Sequence, residues 1–115
     1  MRFVDINNPI KESELREMAE ALFGDLVKGV VDTKREILVL DAELHSDEEA
    51  ALLNDGSNQG DLWGINIHPE LKDEGFVEFD SMINIRPSQA NRSRNVEDPA
   101  IRRRIREIVN RLVVV

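Results

Sequence analysis

The sequence predicts a single α+β domain over residues 1–115. Its mainly antiparallel sheet of four to five strands packs against about three helices, in the order β-α-β-β-α-β-β-α. Three observations carry this reading. Apolar residues recur at helical spacing in the N- and C-terminal parts of the chain. Between them lie β-rich runs joined by short polar connections, and a capping-box pattern opens a further short helix. With 41% apolar and 33% charged residues, 115 residues bury one core and not two.

Arg2 to Ile6 is a short strand closed by Asn7-Asn8-Pro9. Leu15, Met18, Ala19, Leu22 and Phe23 then mark one face of a helix, with Ser13 as N-cap and Gly24 as stop. Leu26 to Val31 and Glu36 to Leu44 flank Asp32-Thr33-Lys34-Arg35, the layout of a hairpin. Ile37-Leu38-Val39-Leu40 is apolar on both faces, which places it inside the sheet. Ser46-Asp47-Glu48-Glu49 is a capping box, Ser at N-cap and Glu at N3, for a helix ending near Gly56. Asn54 to Gly60 is a polar loop, Leu62 to Ile67 a core strand closed by His68-Pro69, and Lys72 to Gly75 a turn.

From Val77 to Arg86 apolar and polar residues alternate, predicting one long half-buried strand whose polar face ends at Arg86. Asp98 and Pro99 are N-cap and N1 of a last helix with the stripe Ile101, Ile105, Ile108, Val109 and Leu112. The helices are expected to cover one face of the sheet.

Composition excludes several classes of function. Cysteine is absent, so there is no disulfide framework, thiolate metal site or cysteine nucleophile, and a cytoplasmic location is the default. No apolar run approaches the ~20 residues that span a bilayer, and Met1-Arg2-Phe3-Val4-Asp5 lacks the layout of a signal peptide. Aromatic residues are 4% of the chain, too few for a base-stacking platform. Net charge is −8, but unevenly spread: residues 1–80 hold 7 Lys+Arg and 20 Asp+Glu, residues 81–115 hold 8 Arg and 3 Asp+Glu. An acidic body repels nucleic acid at long range, while a basic end binds an anion locally or docks on the acidic part of its own chain.

The densest chemistry lies between Arg86 and Asn95. Arg86, Arg92 and Arg94, with Ser88, Gln89, Asn91, Ser93 and the upstream Asn84, combine guanidinium forks with hydroxyl and amide donors, the set a phosphate or carboxylate needs. Arg92 and Arg94 point the same way in extended backbone and can grip one anion together. The alternative is that these arginines pair with the chain's own carboxylates or those of a neighbouring subunit. The following helix does not assist, because Asp98 and Pro99 close its N-terminus to anions. Arg102, Arg103, Arg104 and Arg106 scatter around a solvated helix face, with Asp98–Arg102 and Glu107–Arg111 as i,i+4 pairs.

His45 and His68 each end a core strand and are the acid/base candidates, His45 with Glu43, Asp47 and Glu48 nearby in sequence. No ligand pair has metal-site spacing, so no metal and no cofactor is expected. Trp63 shares a strand face with Ile65 and Ile67 and belongs to the core. Should the two strands pair as a hairpin, Asn66 and His68 lie beside Asn84 and Arg86 and form one polar sheet face leading into the arginine loop.

The segments Ala42 to Leu53, Gly56 to Glu70 and Phe79 to Ile105, above all Asp80 to Gln89 followed by Asn91-Arg92-Ser93-Arg94, resemble a family of short prokaryotic proteins catalogued as domain of unknown function 5674. The resemblance runs nearly end to end. Where that family tends to carry glycine, this chain has Ala90 and Asn95, and Ala90 argues against a tight turn at that point. The resemblance implies a small stand-alone cytoplasmic protein and no known activity, substrate or cofactor.

Three functional expectations follow. The first is a binding module for a small anionic ligand, nucleotide or RNA phosphate run, through the Arg86–Asn95 loop. The second is a small hydrolase or phosphodiesterase with His45 or His68 as acid/base and the arginines as clamps. The third is a homodimeric or partner-binding protein in which the Arg-rich segment is a salt-bridged structural element. No membrane partner is expected.

Overall fold

A computed structural model describes residues 1–115 as an α+β fold. In chain order the elements are β1 (Arg2–Val4), β2 (Ile10–Lys11), α1 (Glu12–Leu22), β3 (Val27–Asp32) and β4 (Ile37–Leu40). They continue as α2 (His45–Asn54), β5 (Leu62–Ile67), β6 (Val77–Glu78), α3 (Pro99–Leu112) and β7 (Val113–Val114). Five strands form an antiparallel sheet in the order β1-β4-β3-β5-β6, and β2 pairs in parallel with β7 in a separate two-stranded sheet. No helix is long and apolar enough to cross a membrane.

The expected hairpin is present: β3 and β4 pair with Val31 opposite Leu38, and β4 lies inside the sheet. On one face Val27, Val31, Leu38, Leu40, Trp63, Ile65 and Ile67 pack against Leu15 and Ala19 of α1 and Ile105, Ile108, Val109 and Leu112 of α3. On the other, Val30, Val39 and Leu62 meet Leu52 of α2. The helices therefore occupy both faces and not one. The cause is legible in β3, β4 and β5, whose apolar residues fall on both sides of the pleat and need cover on both.

Two helix starts differ from the expected ones. The N-cap of α1 is Lys11, with Ser13 inside the helix; Glu14 accepts the Lys11 N–H at 2.9 Å and takes the Arg2 guanidinium at 3.0 Å. Those contacts, the Lys11 N–H first, hold the Glu14 carboxyl below its ordinary range. The N-cap of α2 is Leu44, so Ser46 does not cap. His45 Nε2 donates to the Ile65 carbonyl at 2.8 Å and Glu48 accepts the Ala42 N–H at 3.1 Å, pinning the first turn to the sheet before Ser46 is reached. Gly24, at φ +97°, stops α1, and Asp98 caps α3 by accepting the Ala100 N–H at 2.8 Å.

The long strand expected from Val77 to Arg86 is cut to Val77–Glu78. Beyond Asp80 the chain folds into two 3-10 turns, Met82–Asn84 and Pro87–Gln89. Gly64 is the reason. A Cβ there would stand 2.5 Å from Ser81 Cβ, so glycine lets this segment press against β5. Asn84 then takes the place of a neighbouring strand, its Oδ1 accepting the Gly64 N–H at 2.8 Å and its Nδ2 donating to the Gly64 carbonyl at 3.0 Å. Ala90 adopts a left-handed φ of +58° and closes a tight turn despite its side chain, contrary to expectation.

The arginines of α3 fasten the helix to its neighbours. Arg104 donates to the Thr33 carbonyl and pairs with Glu36 at 3.4 Å, and Arg111 also pairs with Glu36, tying the β3–β4 turn to the helix. Arg102 reaches the Val96 and Glu97 carbonyls, so neither Asp98–Arg102 nor Glu107–Arg111 forms as an i,i+4 pair.

Candidate functional site

The loop from Arg86 to Asn95 is held together by its own polar groups. Arg86 is 9% exposed; its guanidinium donates to the Gln59 and Leu62 carbonyls and lies over the Trp63 ring, 4.1 Å from the centroid. Burial lowers its pKa, with Glu49 opposing. Asn91 donates to the carbonyls of Asn84, Ser93 and Asn95 and accepts the Glu97 N–H. Gln89 donates to the Gly60 carbonyl at 3.1 Å. The side chains of Ser88 and Arg92 are exposed and bond to no other residue.

The cradle in this loop holds a carboxylate of the same chain. One oxygen of Glu97 accepts the Arg92 N–H at 2.8 Å, the Ser93 N–H at 2.9 Å and the Ser93 hydroxyl at 2.9 Å. The hydroxyl first, then the two amides, hold the Glu97 carboxyl below its ordinary pKa. Arg94 turns away from the loop: its Nε donates to Asp80 at 2.5 Å.

That turn delivers Arg94 to a cleft of 240 Å³ on the α2 side of the sheet. Its floor is set by strand register. Lys28 of β3 stands opposite Asn66 of β5, which stands opposite Glu78 of β6. The first turn of α2 contributes His45 and Ser46, the segment after β6 contributes Asp80, Ser81 and Met82, and Phe23, Leu26 and Leu44 complete the rim. Lys28 is half-buried and pairs with no carboxylate; its ammonium lies 5.0 Å from the Phe23 ring centroid. Of the cleft's charged side chains, Arg94 pairs with Asp80, and Lys28 is the one cation without a carboxylate partner.

The polar groups are chained. Glu78 accepts from Asn66 Nδ2 at 2.9 Å and meets His68 Nε2 at 3.2 Å, and Asn66 Nδ2 also donates to the Asp80 carbonyl at 3.2 Å. Asn66 is 6% exposed, and its Oδ1 has no hydrogen-bond partner. Burial lowers the His45 pKa, Lys28 pushes the same way, and the Ile65 carbonyl, Asn66 and Asp80 oppose. With Nε2 donating to Ile65, the neutral ring presents Nδ1 as an acceptor. One turn on, the fully buried Glu48 is pushed up to about 9 by burial, against the Ala42 N–H and Lys28.

The expected polar face of Asn66, His68, Asn84 and Arg86 does not form, because β6 ends before Asn84. Asn66 and His68 meet Glu78, and His45 lines the same cleft as Asn66, whereas Asn84 and Arg86 lie farther along β5 and serve its backbone. Sequence reasoning did not single out Lys28 or Asp80 as site residues. Lys28 did leave a signal, as the one charge inside the apolar run Leu26 to Val31. A second cleft, of 520 Å³, is lined by Glu12, Arg16, Asp73, Glu74 and Arg106. There Arg16 pairs with Glu12 and Glu70, and Arg106 lies over Phe79 and donates to the Glu74 carbonyl.

The model of a family described as "Protein of unknown function (DUF5674)" matches residues 4–112. No curated protein and no solved structure matches the chain.

Proposed function

The chain belongs to the DUF5674 family of proteins of unknown function, and on that premise we propose that it is a binding module for a small anionic ligand. The ligand is held between Lys28, Arg94 and the first turn of α2. The observation that carries this reading is Lys28, a half-buried residue whose ammonium has no carboxylate partner, beside a helix start in the same cleft as Arg94. The ten-residue α2 adds its positive end.

A cleft of 240 Å³ suits a small acid better than a nucleotide or an RNA phosphate run. Of the loop residues, Arg94 meets the ligand, while Arg86, Asn84 and Asn91 hold the loop in shape. Calorimetric titration with 4-methylpentanoate, L-leucine and inorganic phosphate tests this. Lys28→Gln and Arg94→Gln should each weaken binding about tenfold or more, and Arg92→Gln should leave it unchanged. Binding that depends on Arg92 alone, or no binding of any of the three, contradicts the cleft reading.

A second reading rests on the open Nδ1 of His45 beside Arg94: general-base hydrolysis of an ester of such an acid, with Arg94 steadying the developing negative charge. Turnover of a p-nitrophenyl ester that disappears in His45→Gln and falls below the His45 pKa would support it. Turnover that survives the substitution removes it.

A further inference from the structure

Resting on the anion-cleft reading, we infer that the ligand is a small carboxylic acid with an N–H or O–H donor on the adjacent carbon and an apolar side chain, that is, an apolar α-amino or α-hydroxy acid. The cleft presents acceptors as well as cations. Asn66 Nδ2 donates to the Glu78 carboxylate at 2.9 Å and to the Asp80 carbonyl at 3.2 Å. Flipping the amide would set oxygen against two acceptors, so Oδ1 is fixed as the free end. That oxygen, in a residue only 6% exposed, makes no hydrogen bond of good geometry and lies toward the His45 ring.

His45 Nε2 is committed to the Ile65 carbonyl at 2.8 Å, which leaves Nδ1 of the neutral ring as a second acceptor. Asp80 gives one carboxylate oxygen to Arg94 and adds negative charge to the same wall. A bare carboxylate brings no hydrogen to these acceptors and would leave Asn66 Oδ1 unsatisfied; inorganic phosphate can donate a P–O–H but carries no apolar group for the rim. A carboxylate that reaches Lys28 and Arg94 while an adjacent ammonium or hydroxyl turns to Asn66 and His45 satisfies both sets.

The mouth of the cleft sets the rest of the ligand. Phe23, Leu44 and Met82 line it and are 39%, 54% and 65% exposed. Large apolar groups gathered at the rim of a charged floor are complementary to an apolar side chain pointing outward.

The test uses the intact chain and five compounds: L-leucine, (S)-2-hydroxy-4-methylpentanoate, 4-methylpentanoate, L-alanine and inorganic phosphate, each titrated by calorimetry. L-Leucine and the hydroxy acid should bind about tenfold or more tightly than 4-methylpentanoate, and L-alanine about tenfold more weakly than L-leucine. Asn66→Ala should erase the preference for leucine over 4-methylpentanoate; the ligand series on the unaltered protein decides the matter even where that variant fails to fold. Equal or tighter binding of 4-methylpentanoate or phosphate overturns the inference and leaves the anion reading standing. Equal binding of alanine and leucine overturns the apolar part. No binding of any compound overturns inference and reading together.

Discussion

Asn84 acts toward Gly64 as the next strand of the sheet would. Its side-chain amide accepts the Gly64 N–H at 2.8 Å and donates to the Gly64 carbonyl at 3.0 Å, closing a backbone pair that β6 has left open. The same Nδ2 reaches the Arg94 carbonyl at 2.9 Å, and Ser81 N–H also donates to that carbonyl. One amide thus ends the sheet edge and positions the backbone from which Arg94 enters the cleft.

Asn84→Ala should destabilise the protein by roughly 2–4 kcal/mol, because both polar groups of Gly64 lose their partner inside the protein. Gly64→Ala should cost about 1–3 kcal/mol by driving a Cβ against Ser81. Urea denaturation of both variants measures this; a loss below about 0.5 kcal/mol in either would contradict the substitute-strand role.

Ala90 sits at φ +58° without glycine's freedom. Ala90→Gly removes the left-handed penalty at the price of a more flexible unfolded chain, for a net gain of roughly 0.5–1 kcal/mol. A melting temperature that falls in this variant would contradict the assigned turn.

Glu48 makes stability fall as pH rises. Its folded pKa of about 9 lies above the ordinary 4.5, so the folded state binds the proton more tightly. Its contribution is complete below pH 4.5 and is lost progressively toward pH 9, as the unfolded chain ionises freely. Glu48→Gln should therefore gain roughly 2–4 kcal/mol more at pH 8 than at pH 5. His45 works in the opposite sense: lowered from 6.5, it contributes above that pH and loses its contribution as pH falls through the folded value. Chemical denaturation from pH 5 to 9 separates the two; identical slopes with and without Glu48 would refute its burial.

Arg86 lies against the only tryptophan. Arg86→Lys keeps a positive charge but loses the planar fork that bonds the Gln59 and Leu62 carbonyls, so it should cost roughly 1–3 kcal/mol and alter Trp63 emission. Unchanged emission and stability would show that the stacking is not maintained in solution.

Much of the fold is legible locally. The β3–β4 hairpin, the span Leu62–Ile67 and the Asp98-Pro99 start of α3 each follow from neighbours in sequence. The end of β6 does not. Residues 77–86 alternate well enough for a strand, and the decision falls to Gly64 and Asn84, a side chain doing backbone work across twenty residues. Ser46 was likewise overruled as a cap by contacts of His45 and Glu48 with the sheet and its flank.

The candidate site was visible as residue types rather than as a place. His45, Asn66 and Arg94 stood out by chemistry. Their convergence depends on strand register and on the Arg94–Asp80 pair, which no spacing rule encodes. The loop that looked open to an anion already holds Glu97, a carboxylate only a few residues downstream of the cradle.

The most direct measurement is amide chemical-shift mapping during titration of the intact protein with L-leucine. The account predicts that the amides of Lys28, Ser46, Asn66 and Arg94, and the Asn66 side-chain amide, shift together along one binding curve, while Ser88 to Ser93 stay in place. Shifts confined to Ser88 to Ser93, or none at saturating concentration, would contradict it.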